Sequence, residues 1–455
     1  MVGNIAVTEK LSELIVNSRP EADPQVMAAA RSGVLDYLTS TIAGGKDQEG
    51  NSLLELFSSD TYNPNLVKVI GINRYADFQH AALLNGYLGH VLDYDDVHSS
   101  SRGHPSTVIL PALFAISKTK NVSALDFLAA YVIGVETMCR LGLAIGASHY
   151  ESGWHNTATL GAIAATAACV RLLNLNSDAV NCALGLAAAQ SSGLRAQFGS
   201  DGKPLQAGLA ARTAVFTSML TAKGFEAASN GLDGKTGFFA AYGSDKTIVS
   251  NLTKDWGNPW QIVDPGLWFK SYPCCSASHH AIDAVFALIS EHQLHELEND
   301  QIANIEAIFP PGGDTALVVT NPQNGIEGKF SLEYVIATAL IDGKVGIKQF
   351  SKQNIEPRVK TLMNRINRRY DEKIEPLSIA IPPGRFTIVT ITLKNGATYS
   401  KRVDRPHGAA GDPLTIKELH RKFLDADTDG HFAHVPDLVS EMETHEDLVR
   451  LITSL

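Results

Sequence analysis

Residues 85–105, NGYLGHVLDYDDVHSSSRGHP, bring His90, Asp93, Asp95, Asp96, His98 and His104 into one short span. Imidazoles change charge near neutral pH, and carboxylates held beside them orient or tune the ring, so this mixture suits acid/base chemistry. Helical spacing puts His90 and Asp93 on one face, where they can touch. His104-Pro105 marks a new start, because proline fits the first turn of a helix and drives the residue before it out of helical geometry. The flanks AALLNGYL and VILPALFAI are strongly apolar, so the titratable groups lie where a helix runs into a buried loop. The competing reading is a solvated acidic turn with one structural histidine.

Three further polar islands stand in apolar surroundings. SHYESGWHNT carries His149, Tyr150, His155 and Thr157 just before an Ala-rich helix. GLRAQFGSDGKPLQAG carries Arg195 and Lys203 around a Gly-rich turn, and FKSYPCCSASHHAIDA carries Lys270, Tyr272, Cys274, Cys275, His279 and His280. A buried lysine is costly unless it meets an anion, so Lys203 and Lys270 suit carboxylate binding or base work; a solvated surface position is the alternative for either one. No G-x-G-x-x-G or G-x-x-x-x-G-K-[ST] pattern is present, so nucleotide binding lacks support. Cys274-Cys275 lacks the spaced partners of a zinc site and reads as mostly structural. Asp425, Asp427 and Asp429 imitate the start of a calcium loop, but Pro436 stands where the bidentate Glu is needed.

The elements that must position these groups are mostly helical. An amphipathic helix is expected over residues 8–15, then one capped by Asp23-Pro24 and closed by Gly44-Gly45. A β-like run, LVKVIGI, begins at Leu66. From Pro105 to about Phe225 helix follows helix, with Asn176-Ser177-Asp178 as a break and fresh cap. The Ala-rich stretch around that break is no bilayer span, because Arg171 and the polar break interrupt it. Residues 255–266 read as a linker. Beyond it come a helix over 279–289, the β-like ANIEAIF, a helix over 331–340, and FTIVTITLKNGATYSKRV, where Asn395-Gly396 signals a hairpin. The tail is helical again.

At 455 residues the chain exceeds one ordinary core, so more than one domain is expected. The expected division is a helical domain over 1–266, an α+β domain over 267–405, and C-terminal helices over 406–455 that rejoin the first. A formal net charge of -10 argues against a nucleic-acid partner, though clustered cations can still make a site for an acidic small molecule. Five cysteines of irregular spacing indicate a reducing, cytoplasmic setting; no secretory signal is visible, and ITSL is a poor peroxisomal address.

Read in order, NGYLGHVLDYDDVH, GHPS, GWHNT, FG-x-x-x-KPLQAG-x-AA, K-x-YPCC-x-x-x-H-x-x-IDA and FSLEY resemble the MmgE/PrpD family over nearly the whole chain. The resemblance implies a mainly α fold, a large all-helical domain interrupted by a smaller α+β domain, with the site between them. It implies a homodimer using neither metal nor organic cofactor on a small di- or tricarboxylate. Asp93, His104, His155, Lys203 and Lys270 match positions tied to substrate binding and proton transfer. Arg195, His98, Cys275 and His279 are assigned to substrate binding. Val97 stands where dehydratases and animal-type decarboxylases of the family tend to have Thr.

The expected activity is a lyase working by proton transfer next to a carboxylate, either a citrate- or 2-methylcitrate-type dehydratase or a cis-aconitate-type decarboxylase. An alternative is epimerisation of an iminodisuccinate-like dicarboxylate, with Tyr150 and Lys203 as the two bases. A reading from another class is a metal-dependent hydrolase built on the Asp and His cluster of residues 85–105. A catalytically dead binding protein is a further one.

Overall fold

A computed structural model describes residues 6–46, 51–294 and 301–455. The fold is mainly α with a smaller α+β part. Its larger core is a stack of helices, chiefly Pro24–Gly45, Phe78–His90, Ser106–Ser117, Ala124–Ile145, Asn156–Leu172 and Gly202–Thr221. Side-chain caps set several of their starts: Asp23 accepts from the amides of Gln25 and Val26, Asp77 from Gln79 and His80, and Ser123 from Asp126. Ser106–Ser117 and Asn156–Leu172 are buried on all sides, which explains why their sequences lack a polar face. Ala124–Ile145 is, among the described residues, the one helix long and apolar enough to cross a bilayer, and 94% of its apolar window is buried inside the protein.

Small residues let two of these helices nearly touch. A Cβ on Gly86 would sit 2.9 Å from the Gly208 Cα, and one on Gly208 would sit 2.3 Å from the Leu83 carbonyl oxygen. The C-terminal end of Phe78–His90 is thereby drawn against the start of Gly202–Thr221, which carries Lys203.

The smaller core is built on a four-stranded sheet in the order Ile366–Tyr370, Ile302–Phe309, Thr387–Leu393, Thr398–Val403. The first pair is parallel and the other two antiparallel. Along Thr387–Leu393 burial alternates residue by residue, and Gly396 takes φ +88° in the hairpin turn that follows. Helices His279–His292 and Leu332–Asp342 contribute Ile282, Val285, Val335 and Ile336 to this core. The C-terminal helices Ile416–Ala426, Val435–Glu441 and His445–Ser454 bury Leu419, Phe423, Val439, Leu448 and Leu451 in the larger core instead. Lys422 Nζ also reaches Asp36 Oδ1, at 2.6 Å, in its interior.

Three expectations change. LVKVIGI yields only the two-residue strand Val67–Lys68, paired with Tyr75–Ala76, because the chain turns at Gly71 (φ +79°) and then packs on Ile42. Residues 255–266 are a docked strap rather than a free linker: Ile262 is buried, and the Gln261 amide donates to Glu136 Oε2 at 2.8 Å. Strand Ile366–Tyr370 was not foreseen. It lies at the sheet edge with only its first residue buried, so its sequence, INRRY, shows no apolar alternation.

Candidate active site

Phe78–His90 ends at its histidine, and the chain then turns through Asp93, whose φ is +53°. Because the helix stops there, His90 meets Asp95 rather than Asp93: its Nδ1 donates to Asp95 Oδ2 at 2.8 Å. His104 Nδ1 lies 3.1 Å from the same oxygen. One buried carboxylate thus faces two imidazoles: His90 is hydrogen-bonded to it, and His104 lies at ion-pair distance without a hydrogen bond of good geometry. The rings of His90 and His104 meet edge to face at 4.5 Å between centroids, and that of His155 stacks 5.9 Å beyond His90.

Asp93 instead meets cations. Lys203 Nζ is hydrogen-bonded to its Oδ1, and Lys270 Nζ lies 3.1 Å from Oδ2 while donating to its backbone carbonyl at 2.8 Å. Burial alone would push the Asp93 carboxyl up, yet the Lys203 and Lys270 ammonium groups hold it far below the usual range. Burial likewise works against a charged Lys270, but Asp93 and Asp95 raise its pKa above the ordinary value. The rings of Phe198 and Phe330 cover Lys203 Nζ at 5.3 and 5.2 Å. A third lysine, Lys329, donates to the Val91 carbonyl at 2.7 Å, and burial brings its pKa down to about 8.

The histidines are held neutral. Burial lowers His90 to about 3 and places His104 below its ordinary value, and burial with Lys203 nearby sets His155 well below it. Gln206 fixes the tautomer of His155. Its Nε2 donates to the Leu194 carbonyl at 3.1 Å, so its Oε1 faces His155 Nδ1 at 2.7 Å and must accept from it. That leaves a bare lone pair on His155 Nε2, which is buried and meets no partner among the described residues.

Asp93, His104, His155, Lys203 and Lys270 form the buried end of a cavity of about 500 Å³ between the two cores. Asn156–Leu172 and Gly202–Thr221 bring their first residues, Asn156, Thr157 and Lys203, to its wall, adding the partial positive charge of two helix N-termini. Its walls gather Asp93, His98, His104, Tyr150, His155, Lys203, Lys270 and Cys275. Both ring nitrogens of His98 are engaged, Nε2 with the Gln261 carbonyl and Nδ1 with the Ser100 amide, so it braces the wall. Arg195 stands behind Tyr150, 4.0 Å over its ring, and donates to the carbonyls of Tyr150 and Thr315. His279 sits behind the wall against Trp268 and Tyr272, its Nε2 3.3 Å from the Cys274 carbonyl. Burial pushes the Cys275 thiol up, away from a reactive thiolate.

Sequence reasoning did not single out Gln206, Arg102, Lys329 or Arg385. Gln206 had a usable sign, since it lies one helical turn beyond Lys203; Arg385, within PPGRF on the far core, had none. A second cavity, of about 400 Å³ outside Gly202–Thr221, has Arg212 as its one ionisable lining residue and offers no comparable chemistry.

His90, Asp93, Asp95 and His104 place donor atoms within 4.8 Å of one another, close enough in number and spacing for a metal ion. The donor set argues otherwise, because both Asp93 oxygens face lysine ammonium groups and Asp95 is shared by two imidazoles. A divalent ion would have to displace two buried cations.

Comparison with known proteins gives matches along almost the whole chain. Residues 9–250 match the MmgE/PrpD N-terminal domain and residues 272–440 the MmgE/PrpD C-terminal domain. A cis-aconitate decarboxylase-like protein of Aspergillus oryzae is 28% identical over 98% of this chain and 96% of its own length. The cis-aconitate decarboxylase of Aspergillus terreus is 28% identical over 86% of this chain and 84% of its own, and that of Homo sapiens 28% identical over 83% and 76%.

Proposed function

The chain belongs to the MmgE/PrpD family, and from that premise we propose that it is a lyase that removes carbon dioxide from an unsaturated tricarboxylate of the cis-aconitate type. The observation that carries this reading is the grouping of His104, His155, Lys203 and Lys270 around Asp93 at the buried end of one cavity. The similarity to cis-aconitate decarboxylases supports it.

The chemistry asks for two things. When the C–C bond to the departing carboxylate breaks, its electron pair moves into the neighbouring double bond, and negative charge spreads onto the carboxylate at the far end of that system. Lys203 and Lys270 stabilise that charge, both fixed in place by Asp93, which also raises the pKa of Lys270. The carbon next to that carboxylate then needs one proton, which His104 or His155 delivers. In the free protein these imidazoles are neutral. An entering carboxylate raises their pKa, so the acid forms as the substrate binds. Asp95 orients His104, and Gln206 orients His155.

The epimerase alternative has weaker support. Burial raises the Tyr150 hydroxyl above its ordinary pKa, and Lys203 is held by Asp93, which makes both poor bases. The enzyme is further proposed to act as a homodimer without metal or organic cofactor, to be checked by light scattering and by the rate after EDTA treatment, expected to be unchanged. The deciding experiment incubates EDTA-treated protein with cis-aconitate in D2O and follows it by NMR. One carbon dioxide lost and one deuteron gained per turnover is expected, with H155Q slower by about 10²- to 10⁴-fold. Water addition or removal without carbon loss would make it a dehydratase, and exchange without net change an epimerase.

A further inference from the structure

The exposed end of the same cavity collects arginines with few acids to match them. Arg102 and Arg385 both line it, Arg102 exposed and Arg385 mostly covered. Arg385 donates to the Gly313 carbonyl, and no carboxylate among the described residues lies within ion-pair distance of it. The nearby Asp314 is already taken by Arg368, at 3.0 Å, and by the Tyr370 hydroxyl. Among the described residues Arg102 has only Glu151, at 3.9 Å, on an exposed surface. Tyr150, on the same wall, makes no hydrogen bond through its hydroxyl among the described residues, while Arg195 stacks on its ring. In a chain of net charge -10, a covered guanidinium without an acid is a built feature rather than a chance of composition.

We propose that Arg385, Arg102 and the Tyr150 hydroxyl form an outer anion subsite that takes the substrate's central carboxylate, the one that neither leaves nor takes up the developing charge. The inference rests on the lyase reading of this cavity and adds to it that selectivity for three carboxylates over two is set at the mouth, by residues from both cores. Lys203 and Lys270, already bound to Asp93, serve the reacting end. Arg385 can then offer a planar pair of N–H groups to a carboxylate, with Arg102 closing over it from the opposite core.

The test uses unreactive acids. Affinities of tricarballylate, with three carboxylates, and glutarate, with two, are measured by calorimetry for wild type, R385Q, R385K and R102Q, together with turnover of cis-aconitate. Wild type is expected to prefer tricarballylate by about tenfold or more, as a charge-assisted contact supplies. R385Q should bring the preference to about twofold or less, R385K should restore part of it, and R102Q should lower it about threefold, all with glutarate affinity unchanged. No preference in wild type, or an undiminished one in R385Q, would overturn the subsite. Because Arg385 also holds the Gly313 carbonyl, R102Q at its exposed position decides the matter if R385Q fails to fold: an unchanged preference there overturns it too. Turnover judges the lyase reading separately, since an inactive wild type with an Arg385-dependent preference would sink that reading and keep the subsite.

Discussion

At the scale of single residues, the site depends on what each titratable group is set against. Asp93 is the counterion of two lysines in the interior. D93N would leave Lys203 and Lys270 facing each other without it, and breaking such a buried set costs about 3–5 kcal/mol. A fall of that size in urea-derived stability is expected, along with loss of activity. Gln206 acts through His155. Q206L removes the acceptor that keeps the proton on Nδ1 and should lower kcat by about ten- to a hundredfold while KM stays nearly constant. Q206E should move the pH profile of kcat upward, because a carboxylate on Nδ1 favours the charged ring; an unmoved profile would reduce Gln206 to packing. The residue types of this site were legible in the sequence, but their pairing was not. Helical spacing put Asp93 beside His90, whereas the helix ends at His90 and a left-handed turn hands that partnership to Asp95.

At the scale of elements, geometry depends on small residues and docked loops. The near-contact of Phe78–His90 with Gly202–Thr221 sets how far Lys203 stands from Asp93. In G208A the new Cβ meets the Leu83 carbonyl, which cannot move without shifting its helix. We expect a loss of about 1–3 kcal/mol and a larger fall in activity than the stability change alone explains, read by thermal melting beside steady-state rates. The strap over residues 255–266 works in a similar way. Glu136, buried in Ala124–Ile145, accepts from the Gly257 and Gln261 amides and from Arg140 Nε, and Gln261 in turn holds His98 and Ser100. Helices with clear caps, and the Asn395-Gly396 hairpin, could be read ahead. The strap could not, because its polar, Pro- and Gly-bearing sequence looks like a linker until Glu136, over a hundred residues earlier, is seen to receive it.

At the scale of the whole molecule, the two cores meet around a cavity whose imidazoles are kept neutral by burial, and the same burial is repeated in rings that brace or lie behind its wall. His98 and His280 are lowered to about 4 and His279 to about 3, each chiefly by desolvation. In the unfolded chain these rings take up protons near pH 6.5, whereas in the folded protein they do so only near pH 3–4. Between those values unfolding binds protons, so stability falls as pH falls, by about 1.4 kcal/mol per pH unit for each such ring. Asp36 and Asp96, raised by burial, act in the opposite sense, because the folded state keeps their protons longer. The net slope is therefore a contest, but the share of one histidine is not. His280 touches the Ile381 carbonyl through Nε2, with Arg385 rather than a lysine as the cation acting on it, and glutamine at that position can still donate there. H280Q should flatten the stability curve between pH 6 and 4.5 by about 1.4 kcal/mol per pH unit while leaving turnover at neutral pH intact, as urea titrations across that range would report. An unchanged slope would mean that His280 is already charged in the folded protein, and with it the view that burial governs these rings throughout the molecule, the cavity included, would fail.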